Sequence, residues 1–271
     1  MDYLGETGIG HTAPDSTPSY QLQKFPWFNA WCGDIDITGG KKPQSYYRDI
    51  VWRQSPMHML VHTPIPAGSK EAISFWGWRD EVPYYYFPGA EGKPMKVNVY
   101  TRYPQVRLML NGKKVDEKNV STDNLTATFE INYQPGELKA IALENNKEVD
   151  SVVLRTPGVP KQIRLVADRK NIKCSRNDLS YVTAEIVDAA GQLVPNAVVP
   201  LRFSIEGNGE IAATANACPS DMESFQQPKH KTFRGKALVI VRPKGKPGKI
   251  ILKAEGEDLI SGKVEIEAGY E

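Results

Sequence analysis

From Met57 onward the apolar residues of this chain recur at every second position almost to its end, which restricts most of the molecule to β-strands buried on one face. The runs Met57 to Thr63, Glu71 to Trp78, Met95 to Thr101, Gln105 to Leu110, Lys114 to Asn119, Thr126 to Ile131, Gly136 to Leu143 and Glu148 to Leu154 are short and similar in length. Asn111-Gly112 falls between two of them. Both central positions of a type I′ turn need positive φ, which Asn and Gly tolerate, so this dipeptide predicts a tight hairpin. Gly136 and Asn145-Asn146 mark two further turns. Short strands at this spacing make an antiparallel sandwich.

Thr156-Pro157-Gly158-Val159-Pro160 interrupts the pattern, because neither neighbouring strand can run through two prolines. Period two then resumes in Gln162 to Ala167, Leu179 to Asp188, Val199 to Glu206, Lys236 to Val241, Gly248 to Glu255 and Gly262 to Glu267, with turns at Ala190-Gly191 and around Gly207 and Gly209. This predicts a second, immunoglobulin-like sandwich. Ala215 to Arg234 is polar and poorly periodic and reads as a long loop crossing one end of it.

The first fifth of the chain is different. Asp34 to Thr38 alternates as a short strand would, with Asp34 and Asp36 on one face, and ends in Gly39-Gly40. After Pro43, the residues Tyr46, Tyr47, Ile50, Val51 and Trp52 fall at helical spacing. A strand, a glycine turn and one short helix do not bury themselves, so this stretch reads as part of a larger layer. The expected division is 1–56, an incomplete segment; 57–156, a β-sandwich; and 157–271, an immunoglobulin-like sandwich.

Chemistry-bearing patterns are few. The net charge of +2 over 271 residues, with no long basic tract, argues against nucleic acid as a partner. No run is long and apolar enough to span a membrane as a helix. Cys32, Cys174 and Cys218 show no paired spacing. No phosphate loop, dinucleotide fingerprint or nucleophile elbow is present, so no cofactor is expected. His58 and His62 lie about 13 Å apart if both are on one strand, too far to share a metal, so no metal site is assigned. Two carboxylates flanking a glycosidic bond are the minimal machinery for its hydrolysis, which singles out Asp2, Glu6, Asp34 and Asp36. The aromatic concentration Trp76, Trp78, Tyr84, Tyr85 and Tyr86 has two readings, a stacking platform for a sugar or the packing of a small core.

At these residues the sequence resembles a known family. The DYLGE opening, DIDITGGKKPQSYYRDIVW, EGKPMKVNVYT, VRLMLNGKKV, DLSYVTAEIVDAAGQLVPNA and FSIEGNGEIAA are similar, in order, to the C-terminal third of Bacteroidetes-type glycoside hydrolase family 2 enzymes of the β-galactosidase group. The resemblance implies a mainly β chain, two antiparallel immunoglobulin-like sandwiches preceded by the last strand-loop-helix unit of a truncated (β/α)8 barrel. Met1 to about Gly8 would end barrel strand 8, Cys32 to Thr38 would return to the active-site rim, and Pro43 to Trp52 would be the last barrel helix. Lys93 to Leu154 would complete the sandwich that follows the barrel, and Lys161 to Ala268 would form the terminal, invasin-like one.

In that family two glutamates carry out retaining hydrolysis of terminal β-D-galactosides, both from barrel positions upstream of Met1. The resemblance therefore assigns no catalytic residue here. It leaves Asp2, Glu6, Trp31 and Asp34 as substrate-rim candidates, an N-terminal catalytic portion as the partner, and a periplasmic or extracellular location. Three functional readings follow: a non-catalytic accessory part of such an enzyme, a carbohydrate-binding module built on Trp76, Trp78 and Tyr84 to Tyr86, or a homo-oligomeric self-association module.

Overall fold

Alternation of buried and exposed side chains runs most cleanly through Thr126–Asn132, Ser180–Val187, Gly248–Glu255 and Gly262–Gly269. The computed structural model describes residues 11–14, 33–73 and 77–270. The chain divides into two compact units, Met1–Thr156 and Pro157–Glu271. The first contains β1 (His11–Pro14), α1 (Pro43–Val51), β2 (Met57–His62), β3 (Ser69–Ala72), β4 (Glu81–Val82), β5 (Pro94–Thr101), β6 (Gln105–Leu110), β7 (Lys113–Asn119), β8 (Thr126–Asn132), β9 (Glu137–Glu144) and β10 (Lys147–Arg155). The second contains β11 (Gln162–Ala167), β12 (Asn171–Lys173), β13 (Ser180–Val187), β14 (Pro200–Gly207), β15 (Gly209–Ala215), β16 (Lys229–Lys231), β17 (Lys236–Pro243), β18 (Gly248–Glu255) and β19 (Gly262–Gly269).

In the first unit, sheets β4-β2-β5-β8 and β10-β9-β6-β7 are antiparallel throughout, and β1 pairs with β3 in a small separate ribbon. The core between the two sheets is built from inward residues such as Met59, Val97, Phe129, Leu108 and Ala140. Asn111 and Gly112 both have positive φ, at 50° and 75°, as the expected hairpin requires. The Asn111 side chain also accepts from Glu137 N at 2.8 Å, tying the turn to the neighbouring strand. Asn145 and Asn146 make the second such turn.

The second unit pairs sheet β11-β13-β17-β15 with sheet β12-β19-β18-β14-β16. Its inner residues are smaller and largely aliphatic, among them Val182, Ala184, Val239, Leu201, Ile250 and Leu252. The short β12 runs parallel to β19, whereas the long strands are antiparallel. The two antiparallel sandwiches expected from the alternation are therefore present.

Helix α1 starts with Pro43 in its first turn, where the missing N–H costs nothing. Nine residues are too few to hold a helix in water unaided; packing does it, through Ile50 against Leu60 and Tyr100. The Arg102 guanidinium donates to the carbonyls of Ile50 and Val51 at 2.8 and 2.7 Å, placing positive charge at the negative end of the helix.

Three expectations need correction. Asp34 to Thr38 is a tight turn instead of a strand, because the Asp36 carboxylate gathers Thr38 N, Thr38 Oγ1 and Gly40 N at 2.8, 2.7 and 3.0 Å and so outcompetes an extended backbone. Asp34 and Asp36 consequently do not share a face. In place of the run expected from Glu71 to Trp78, a strand spans Ser69–Ala72, and residues 74–76 lie outside the described residues. The Ala215 to Arg234 loop carries a strand of its own, β16, paired with β14. The very short β4 and β12 had no periodic signal at all. Of the 1–56 segment, residues 1–10 and 15–32 lie outside the described residues.

Candidate functional site

The period of two that fills the first core also dictates what its outer face carries. Sheet β4-β2-β5-β8 turns Met57, Met59, Val61, Val97, Val99 and Phe129 inward, so His58, His62, Asn98, Tyr100 and Thr128 stand on the other side. That outer face is neither bare nor uniformly charged. At one end α1 covers it, with Tyr47, Trp78 and Tyr100 in mutual edge and tilted contact at 5.5 to 6.4 Å between ring centroids.

Glu81 lies on this face and is only 2% exposed. Thr128 Oγ1 donates to Asn98 Oδ1 at 2.7 Å, which turns the Asn98 amide so that its Nδ2 donates to Glu81 Oε1 at 2.6 Å. Tyr100 donates its hydroxyl to Glu81 Oε2 at 2.5 Å, and the Trp78 side chain donates as well. Burial nevertheless raises the Glu81 carboxyl above its ordinary range, outweighing these donors. Burial and the facing Glu81 likewise raise the Tyr100 phenol.

Beside this network opens a cleft of about 530 Å³ bordered by Tyr47, Trp78, Glu81, Asn98, Tyr100 and Thr128. A smaller hollow of about 240 Å³ continues it past Arg79 and Lys96 to His62. His62 Nε2 lies 3.1 Å from both oxygens of Glu71, which also accepts from Asp80 N at 2.9 Å. Burial raises Glu71, but these partners outweigh it and its carboxyl sits below the ordinary value. Aromatic walls beside oriented hydrogen-bonding groups suit a polyhydroxylated ring, which offers an apolar face to stack and hydroxyls to bond.

Among the rim candidates, Asp2, Glu6 and Trp31 lie outside the described residues. Asp34 forms an ion pair with Arg48 of α1, while its carbonyl accepts from Ser45 Oγ, so it ties the preceding turn to the helix. His58 faces Asp49 at 3.0 Å, and Lys41 reaches the same carboxylate. Of the platform residues, Trp76 lies outside the described residues, and Trp78 borders the cleft.

The Tyr84 to Tyr86 triplet does not form a platform. Its residues alternate, and Tyr85 is 0% exposed, edge-on to Tyr133 at 4.9 Å, with its hydroxyl accepting from Gln134 N and its pKa pushed up to about 12 by burial. Tyr84 packs against the core from its edge, and Tyr86 is half-buried. Three consecutive aromatics on an extended backbone cannot all face one way, and this was the sequence signal that one of the three had to turn inward. Nothing in the sequence marked Glu81, since a lone acid two residues before a proline looks like a turn.

The chain is thus a tandem of two antiparallel sandwiches, the first bearing a helix-covered aromatic face. Residues 163–265 match the glycoside hydrolase family 2 C-terminal domain 5, and residues 92–150 match a domain of unknown function, DUF4982. The chain corresponds to the C-terminal region of a glycoside hydrolase family 2 enzyme.

Its similarity extends to a beta-galactosidase of Bacteroides ovatus, 32% identical over 99% of this chain and 27% of that protein. A beta-galactosidase of Thermoanaerobacter pseudethanolicus is 32% identical over 47% of this chain and 15% of its own length. A crystal structure of a family 2 glycosyl hydrolase from Bacteroides cellulosilyticus superposes with a TM-score of 0.84 at 34% identity, covering 97% of this chain and 35% of that one. The chain thus spans about a quarter to a third of the relatives that it matches along its length.

Proposed function

We propose that this chain supplies the non-catalytic C-terminal sandwiches of a β-galactosidase-like enzyme, whose retaining hydrolysis of terminal β-D-galactosides is performed by a catalytic portion of the larger protein. The observation that carries this reading is the similarity to the Bacteroides ovatus beta-galactosidase, continuous over 99% of the chain yet confined to 27% of that enzyme. Residues 1–56 would then close the rim of a (β/α)8 barrel, with α1 as its last helix, and Asp2, Glu6, Trp31 and Asp34 as the rim-side residues. The sandwich boundaries fall at 57–156 and 157–271 in this reading. Reading the encoding DNA in frame upstream of Met1 tests it directly. Codons for a barrel with two catalytic glutamates are expected; an in-frame stop with no barrel-coding sequence adjoining it would overturn the proposal.

A second reading is favoured by the cleft itself. Trp78, Tyr47 and the Glu81 network would hold a galactose-class ring by stacking and hydroxyl contacts, with Tyr85 having no part in it. Titration with galacto-oligosaccharides, followed by tryptophan fluorescence, is expected to saturate and to lose its amplitude in Trp78→Ala. A flat titration removes this reading.

Self-association is the third reading and rests on Trp52, which is 63% exposed at the end of α1; a concentration-independent monomer in light scattering would count against it. The location proposed for the enzyme is periplasmic or extracellular. Among the described residues no helix is long and apolar enough to cross a membrane.

A further inference from the structure

The second sandwich holds a cluster that none of these functions uses. On β16, alternation turns Lys229 and Lys231 outward and His230 inward, where it is 1% exposed and stacked on Phe225 with ring centroids 6.2 Å apart. The loop before β16 brings Asp221 and Glu223 to the ring, and the ligand atoms of Asp221, Glu223 and His230 all lie within 4.8 Å of one another. We propose that these three residues form a binding site for a divalent cation of the zinc class.

The orientation of the buried imidazole supplies an argument independent of the clustering. His230 Nδ1 lies 3.3 Å from Thr214 Oγ1. The single hydroxyl proton of Thr214 is directed at Gln227 O, 2.7 Å away, so toward the ring Thr214 acts as acceptor and Nδ1 carries the hydrogen. A neutral imidazole so held presents its lone pair at Nε2, and Nε2 faces Asp221 Oδ2 at 2.5 Å. Two acceptors at that separation need a positive centre between them, either a second ring proton or a cation. A hydrogen bond on the far ring nitrogen that fixes the near one as ligand is the arrangement found around metal-bound histidines.

The donor set selects the ion. One imidazole nitrogen with two carboxylates suits zinc and its neighbours better than calcium or magnesium, which prefer oxygen alone. Two carboxylates balance a charge of 2+. With zinc bonds of about 2.0–2.2 Å, Asp221 Oδ2, now 2.5 Å from Nε2, would have to draw back to admit the ion; the Asp221 and Glu223 side chains, 11% and 33% exposed, face solvent in part and would leave a position for water. Glu223 also accepts from Lys231 N at 3.0 Å and lies 3.4 Å from Lys231 Nζ; that lysine is 58% exposed and free to swing away. Bound there, the ion would staple the 215–234 loop to the sheet through β16.

The test uses the untagged full chain, stripped with a chelator and titrated with zinc chloride by calorimetry. One zinc per chain is expected, with a rise in melting temperature. Asp221→Asn and Glu223→Gln, at partly exposed positions, should each weaken binding by about tenfold or more while melting like the parent without metal. Absence of stoichiometric binding up to millimolar zinc would overturn the proposal, leaving an ordinary histidine-aspartate ion pair. Binding unchanged in both variants would overturn it equally, since the zinc would then sit elsewhere.

Discussion

One outer sheet face of the first sandwich, that of β4-β2-β5-β8, is built on a plan opposite to the charged faces of the second. In the second unit, cross-strand charges alternate along the faces: Arg164 and Lys236 flank Glu185, Lys253 meets Glu206, and Lys249 with Lys263 brackets Glu265. Such ladders stabilise little and keep a face in water. In the first unit the face of β4-β2-β5-β8 carries a buried carboxylate, oriented amide and hydroxyl groups, and two aromatic rings under a helix that adds a third, Tyr47. A desolvated acid is tolerated only where donors satisfy it and where something covers it. One plan faces solvent; the other is made for contact.

Replacements that probe the two plans should differ in cost outside the cores and agree inside them. Phe129→Ala, 1% exposed in the first core, is expected to lose about 3–5 kcal/mol, and Leu201→Ala in the second about 2–5 kcal/mol, measured by urea unfolding. Comparable losses keep the contrast confined to the outer faces; a negligible loss in either would break it. On the contact face, Tyr100→Phe removes one donor from buried Glu81 and should cost about 1–3 kcal/mol in the same measurement. A neutral result would mean that Glu81 is solvated.

The pH dependence sharpens the same point. The folded-state pKa of Glu81 lies above the ordinary 4.5, so in the window between the two the native state keeps a proton that the unfolded chain has released. Its contribution to stability is complete below 4.5 and lost as pH rises through the folded value. Glu71, with a lowered pKa, acts in the opposite sense and at lower pH. The urea midpoint of the parent relative to Glu81→Gln should therefore fall as pH rises from about 4.5 toward neutrality; a relative rise would show that Glu81 is not buried as described. The smallest effect is expected on the solvent plan, where Lys253→Ala should leave the unfolding midpoint unchanged.

How far the sequence foretold these features follows from the length scale of each signal. Long strands and the turns at Asn111-Gly112 and Asn145-Asn146 are local, since pattern and φ requirement sit within a few residues. Helix α1 was legible for the same reason. The failures are of two kinds. Asp34 to Thr38 alternates like a strand, but the side chain of Asp36 closes a turn within four residues, and a local hydrogen bond overrides a five-residue pattern. Glu81, Asn98, Tyr100 and Thr128 come from three strands and meet only through sheet register, so no spacing in the sequence announces them. The same holds for Thr214 and His230, joined across the fold by the 215–234 loop.

The central proposal is that this chain serves a β-galactosidase-like enzyme as an accessory part and carries no hydrolytic centre of its own. Its most direct test is the release of nitrophenol from p-nitrophenyl β-D-galactoside by the purified chain. The account predicts no release above the buffer rate at any pH from acid to neutral. Measurable turnover, abolished by Glu6→Gln, would contradict it.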